Sequence, residues 1–230
     1  MTVPLQNPKL AGLYPFLAAD RDDAQRLQQA LLESVRQKAE ESVAVKQQFF
    51  GECAAQVVAA AQALAAVYAR GGRLYTMGNG GSSCDSAHIA VEFQHPITTG
   101  RPALAAHNLA DDSAMLTAVG NDIGFQHVFL RRVIALMRAE DALIGVSTSG
   151  NSENLLLAFT AAKQLGATTI GLAGGDGGKM RRLVDLDYCL VAPSDSIHRV
   201  QETHVAIYHI LWDLTHTLLA DTRGSAAQEH

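Results

Sequence analysis

The chain has 230 residues, 48% hydrophobic and 18% charged, enough for a substantial core and unlike a disordered chain. Its net charge of −5 argues against nucleic acid or an acidic membrane as the main partner. The three cysteines, Cys53, Cys84 and Cys189, stand far apart without a CxxC pair, as expected of reduced thiols in the cytoplasm.

The first residues, Met-Thr-Val-Pro-Leu-Gln-Asn, lack a basic segment followed by an apolar run, so no secretory signal is expected. Residues 1–20, with three prolines, read as an extended arm. From Asp22 to about Tyr68 the composition is rich in Ala, Gln, Glu, Leu and Arg, all good helix formers. Two helices or one bent helix fit, with a possible break near Phe49–Gly51. Within it, Cys53 to Ala69 is the most membrane-like stretch. Gln56 and Gln62 interrupt it and alanine supplies most of its apolarity, which predicts a packed helix and no membrane span. Gly71-Gly72 ends the helical region.

Short apolar runs and glycine-rich turns follow. Arg73–Met77 reads as a strand, residues 78–83 as a turn and Cys84–Phe93 as a helix. The rhythm returns with strand Ala142–Val146, turn Ser147–Ser152 and helix Glu153–Leu165, then strand Thr168–Leu172 and turn Gly174–Gly178. Tyr188–Val191 is a last strand, Ile197–Ala220 a long helix, and the residues after Asp221 a frayed tail. Alternation of this kind predicts an α/β fold, a parallel sheet with helices on both faces in a doubly wound three-layer sandwich, preceded by a helical extension. The expected division is an arm and helix over 1–44, one α/β domain over 45–220 and a flexible tail over 221–230.

Ligands of parallel sheets sit at the carboxyl ends of the strands, where backbone N–H groups and helix dipoles favour an anion. Two turns suit a phosphate there. In Gly78-Asn79-Gly80-Gly81-Ser82-Ser83 the glycines let an anion approach the backbone. In Ser147-Thr148-Ser149-Gly150-Asn151-Ser152 four hydroxyls follow a buried strand. Taken singly, each turn is more simply a set of N-caps and tight bends. The two together favour a phosphate. Gly78-x-Gly80-x-x-Ser83 lacks the third glycine of the dinucleotide fingerprint, and Gly174–Lys179 lacks the hydroxyl residue that follows a P-loop lysine.

At these turns the sequence resembles the sugar isomerase (SIS) superfamily, and within it the phosphoheptose (sedoheptulose 7-phosphate) isomerases. The resemblance rests on GNGGSSCDSAH at 78–88, VGNDIGF at 119–125, STSGNS at 147–152, GGDGGKM at 174–180 and RVQETH at 199–204. It implies a single SIS domain with phosphate contacts at Ser82, Ser147, Thr148, Ser149 and Ser152. Asn79 and Asp122 would face the sugar, with Gly80 and Gly81 in the same binding turn.

His88 and Glu92 lie four apart on one helix face, and Gln201 and His209 lie on roughly one face of the last helix. By spacing alone, His88 and Glu92 are more simply a structural surface pair. Two histidines, a glutamate and an amide oxygen also suit zinc. The resemblance favours the second reading. It implies a Zn²⁺ or similar divalent site at His88, Glu92, Gln201 and His209, one per subunit. It also implies Glu92 as base and His209 as acid/base in an aldose–ketose isomerisation through an enediol, with Gln201 at the substrate. It further implies a cytoplasmic homo-oligomer, a tetramer with sites at its interfaces. His95, His107, His127 and His216 match no motif and read as surface or packing residues, whereas His204 could line the pocket. The chain departs from the family at Pro96, where the stretch Phe93–Pro96 lacks a basic residue, and at His198; both concern the far end of the sugar. The alternative is a non-catalytic SIS module that senses a phosphosugar or binds a replication initiator.

Overall fold

The computed structural model describes residues 24–226, with side chains from 27 to 220. The expected arm over 1–20 and the last tail residues, 227–230, lie outside the described residues. The chain divides between Glu40 and Glu41, and all the strands belong to the second unit.

Helix α1 (Ala24–Ala69) is continuous. The break expected near Phe49–Gly51 does not occur: a Cβ at Gly51 would meet nothing within 4 Å, and no proline interrupts the ladder. The helix ends where predicted. The Gly72 N–H donates to the Val67 carbonyl (2.9 Å) and Gly71 N–H to that of Tyr68 (3.1 Å). Within Leu27–Ala69 an 18-residue window of mean hydropathy 1.4 would suffice, by length and composition alone, for a membrane span. Phe49, Val57, Ala60, Ala61, Leu64 and Val67 nevertheless belong to the core beneath the sheet, as expected of a packed helix.

Then follow β1 (Leu74–Gly78), α2 (Gly81–Gln94), β2 (Ala106–Asn108), α3 (Ser113–Asp122), a 3₁₀ turn (Phe125–His127) and α4 (Val128–Leu136). The remaining elements are β3 (Ala142–Ser147), α5 (Glu153–Gln164), β4 (Thr168–Gly174), a second 3₁₀ turn (Met180–Arg182), β5 (Tyr188–Ala192) and α6 (Ile197–Ala226). The last helix runs past its expected end at Ala220. β2, α3 and α4 occupy a stretch in which the sequence offers only short runs, although Asp112 caps α3 by accepting from the Met115 N–H (2.9 Å).

All strand pairs are parallel, in the order β2-β1-β3-β4-β5. The pleat sends alternate side chains to two cores. On one face Leu74, Ile144, Val146, Ile170 and Leu172 pack against α1, α2 and α6 through residues such as Phe49, Phe93 and Leu211. On the other, Tyr75, Met77 and Leu143 pack against α4 and α5 through Phe129 and Phe159. Burying each of these aromatic side chains contributes about 1.5–3 kcal/mol. Strand order reverses between β1 and β3, so their carboxyl-end loops open a crevice there.

Candidate active site

α2 and α6 lie side by side and run in the same direction. Their facing residues keep a constant separation in sequence: Tyr208 meets His88 and Trp212 meets Glu92, each 120 residues apart. The same offset places Gln201 on Gly81, where an added Cβ would collide with the Gln201 amide.

Along this seam three candidate ligands converge. The ligand atoms of His88, Glu92 and His209 all lie within 4.8 Å of one another. His88 has both ring nitrogens engaged: Nδ1 is 2.8 Å from the Tyr208 hydroxyl and Nε2 is 3.0 Å from Glu92 Oε1. The Tyr208 ring meets those of His88 and His209 edge-on, at 5.5 and 4.8 Å between centroids. Burial pushes the Tyr208 phenol up, and the charges of Asp85 and Glu92 add to it. One turn before His88, burial raises the Asp85 carboxyl against the opposing influence of His88; its Oδ2 is buried without a hydrogen-bond partner. Beneath Glu92, the Trp212 indole donates to the Glu92 carbonyl (2.8 Å), and Arg101 stacks on that indole while pairing with Asp213. The Glu92 turn is thus fixed from below, while its side chain keeps 27% of its exposure.

The second region is the loop after β3. The Ser147 and Ser152 hydroxyls are 3.2 Å apart, and Ser149 Oγ accepts from the Asn151 N–H. The loop after β4 braces it: the Met180 N–H donates to the Gly150 carbonyl (2.9 Å) and the Lys179 N–H to Asn151 Oδ1 (3.0 Å). Gly150, at φ 63°, has the Gly177 carbonyl where a Cβ would stand, so no other residue fits without moving one loop. Thr148 and Ser149, Gly174 and Gly175, and the start of α6 at Ile197 line a cavity of about 340 Å³. Asp176 and Asp195 stand on the same cavity, so its charge favours an anion only on the hydroxyl side.

An amide pair joins the two regions' loops. Asn79 and the buried Asn154 donate to each other's carbonyl oxygens, both at 2.9 Å. Asn79, predicted to face sugar, is thereby already held by protein. Gly80 and Gly81 open α2, and the following Ser82 is buried, with its N–H donating to the Asn79 carbonyl (3.0 Å). The close fit of this turn depends on Gly78, where an added Cβ would collide with the Ser82 carbonyl oxygen.

Two predicted residues stand apart within this chain. Gln201 sits at the first turn of α2, about 12 Å along a regular helix from His209. Asp122 ends α3 and lines a different cavity, of about 430 Å³, with Met115, Val119 and Arg131. His204 lies beneath the first cavity and not on its wall. It is fully buried and donates from Nε2 to the Ala173 carbonyl (2.9 Å), and burial pushes its pKa down to about 4 against the opposing pull of that bond. His216 packs in the core, and His95 and His107 are exposed. Asn154, Tyr208 and Asp85 escaped the sequence reading. Tyr208, adjacent to His209, and Asp85, inside the stretch 78–88, carried a signal; Asn154 carried none.

These features define the class of protein. The SIS domain profile matches residues 39–174. A phosphoheptose isomerase of Solidesulfovibrio magneticus is 46% identical over 176 residues, covering 76% of this chain and 84% of its own. Solved structures of phosphoheptose isomerases from Francisella tularensis and Neisseria gonorrhoeae superpose with TM-scores of 0.77 and 0.75 at 34% and 39% identity. They cover 81% and 80% of this chain and are themselves each 98% covered. The chain belongs to the phosphoheptose isomerase family of SIS-domain proteins.

Proposed function

We propose that the protein is an aldose–ketose isomerase that converts sedoheptulose 7-phosphate to D-glycero-D-manno-heptose 7-phosphate. The observation that carries the reading is the convergence of His88, Glu92 and His209 on one seam, in a chain whose relatives are phosphoheptose isomerases. Interconverting the two sugars requires a proton to move between C1 and C2, and a second between their oxygens. Glu92, with its main chain held by Trp212 and its carboxylate partly open to solvent, takes the proton from C1 and returns it at C2. His209 moves the proton between the oxygens. Ser147, Thr148, Ser149 and Ser152 hold the phosphate by charge-assisted hydrogen bonds, with Ser82 behind them at the start of α2.

Two imidazoles and a carboxylate within reach of one another fit Zn²⁺ or a similar divalent ion, one per subunit. When bound, such an ion supplies the positive charge that steadies an enediolate. Gln201 lies about 12 Å along α6 from His209 and would reach these groups from the same chain only with both side chains extended, so in this reading its amide serves a neighbouring subunit's site. Val91 and Ile210, beside Glu92 and His209, are exposed apolar residues, as are Leu27, Leu31 and Val35 on one stripe of α1. This fits a homo-oligomer, a tetramer with sites at its interfaces, in the cytoplasm.

The test is direct: incubate the metal-loaded protein with sedoheptulose 7-phosphate and assay for aldoheptose 7-phosphate. Tight binding of the sugar without any product would replace the enzyme by a phosphosugar-sensing module.

A further inference from the structure

We propose that Tyr208 is the positioning residue of His88, its hydroxyl switching between donor and acceptor so that His88 Nε2, without the ring turning, can exchange a proton shared with Glu92 for a divalent cation. The inference rests on the reading of His88, Glu92 and His209 as a cation site.

The two nitrogens of a neutral imidazole cannot both donate. Glu92 as a carboxylate only accepts, so at 3.0 Å from it Nε2 carries the proton. Nδ1 then offers a lone pair, and the Tyr208 hydroxyl at 2.8 Å donates to it. With a cation between Nε2 and Glu92 the arrangement inverts. Nε2 must present its lone pair, the proton moves to Nδ1, and the group facing Nδ1 must accept. A backbone N–H could serve only the first state and a carbonyl only the second. A hydroxyl serves both without moving.

Tyr208 is built for a fixed position. It is 2% exposed, and its ring is wedged edge-on against both histidines. In the second state its own proton needs an acceptor. The charges of Asp85 and Glu92 both act on Tyr208; Glu92 faces Nε2, whereas Asp85 Oδ2 is buried without a hydrogen-bond partner and is the carboxylate left to accept. The same contact keeps the His88 ring from rotating, so that Nε2 points along the seam to His209, whose ring centroid is 5.3 Å away.

The full-length protein, labelled with ¹⁵N-histidine, reads the switch directly. Nitrogen shifts should show His88 protonated at Nε2 in the metal-free protein and at Nδ1 once Zn²⁺ is added. Tyr208→Phe, with an unchanged melting curve, should bind Zn²⁺ about 10–100-fold more weakly in competition with a chelating dye. Zinc held through Nδ1 in the parent protein would overturn the proposal, whether or not the variant folds. So would a variant affinity within twofold of the parent. A parent that binds no Zn²⁺ removes the cation site itself, whereas zinc binding indifferent to Tyr208→Phe removes only the role of Tyr208.

Discussion

In the loop after β3, Ser147, Thr148, Ser149 and Ser152 lie within six residues, and Ser147–Ser152 and Ser149–Asn151 hydrogen bonds close within the loop itself. Along the seam of α2 and α6 no functional group is held by its own neighbourhood alone. His88 is oriented by Tyr208 and Glu92 is anchored by Trp212, each from 120 residues away. On the proposed function, the loop, closed largely by its own residues and braced by the loop after β4, binds, and the seam is a long-range device whose groups depend on helix register. A change in the first should weaken binding, while a change in the second should stop chemistry.

The largest effect should come from the seam. Glu92→Gln should keep the fold and lower kcat by about 10²–10⁴-fold, the usual scale for a lost general base. Unchanged turnover would show that the seam is not where the proton moves. Next, the same-chain placement of Glu92 and His209 can be set against the separation of Gln201. Mixed oligomers of Glu92→Gln and His209→Ala chains should stay inactive, because each site needs both residues from one chain. Mixing Glu92→Gln with Gln201→Ala chains should restore activity. Rescue in the first mixture after proven subunit exchange would contradict the seam.

In the loop, Ser149→Ala should raise KM by roughly tenfold or more with little change in kcat, since a hydrogen bond to a charged group is worth about 1.5–3 kcal/mol. A variant that binds the phosphosugar like the parent would reduce the loop to a turn. Asn154→Ala, which breaks the amide pair between the two loops, should destabilise by about 1–3 kcal/mol and raise KM together. Loss of stability with unchanged KM would uncouple the regions.

The smallest effect near neutral pH concerns His204. Its folded pKa of about 4 lies below the ordinary 6.5, so folding disfavours protonation there. Its contribution is complete above about pH 6.5 and is lost as pH falls towards 4, because the unfolded chain takes up the proton first. His204→Gln should flatten that acid-side decline in a series of melting curves; an unaltered slope would assign the decline to other groups.

Much of the fold was legible because it is written at short range. The glycine pair at 71–72 ends α1, short apolar runs mark β1, β3, β4 and β5, and hydroxyl-rich turns follow β1 and β3. β2 has only three residues, and α3 and α4 are short, so no periodicity long enough to read accompanies them. The expected break at Gly51 failed for the converse reason. A local glycine signal is weak against apolar burial along the rest of the helix.

By itself, then, the sequence determined the α/β architecture and the hydroxyl-rich turn, while His88, Glu92 and His209 were proposed through the family resemblance. Propensity, short apolar runs and turn residues all act between near neighbours. Only the tertiary structure decided that α2 and α6 pack in parallel with a fixed offset. That register seats Tyr208 on His88, leaves Gln201 two turns away and gives Asn79 a partner in Asn154. Those contacts join residues 75 to 120 positions apart, and their register is set by how both helices fill one face of the sheet.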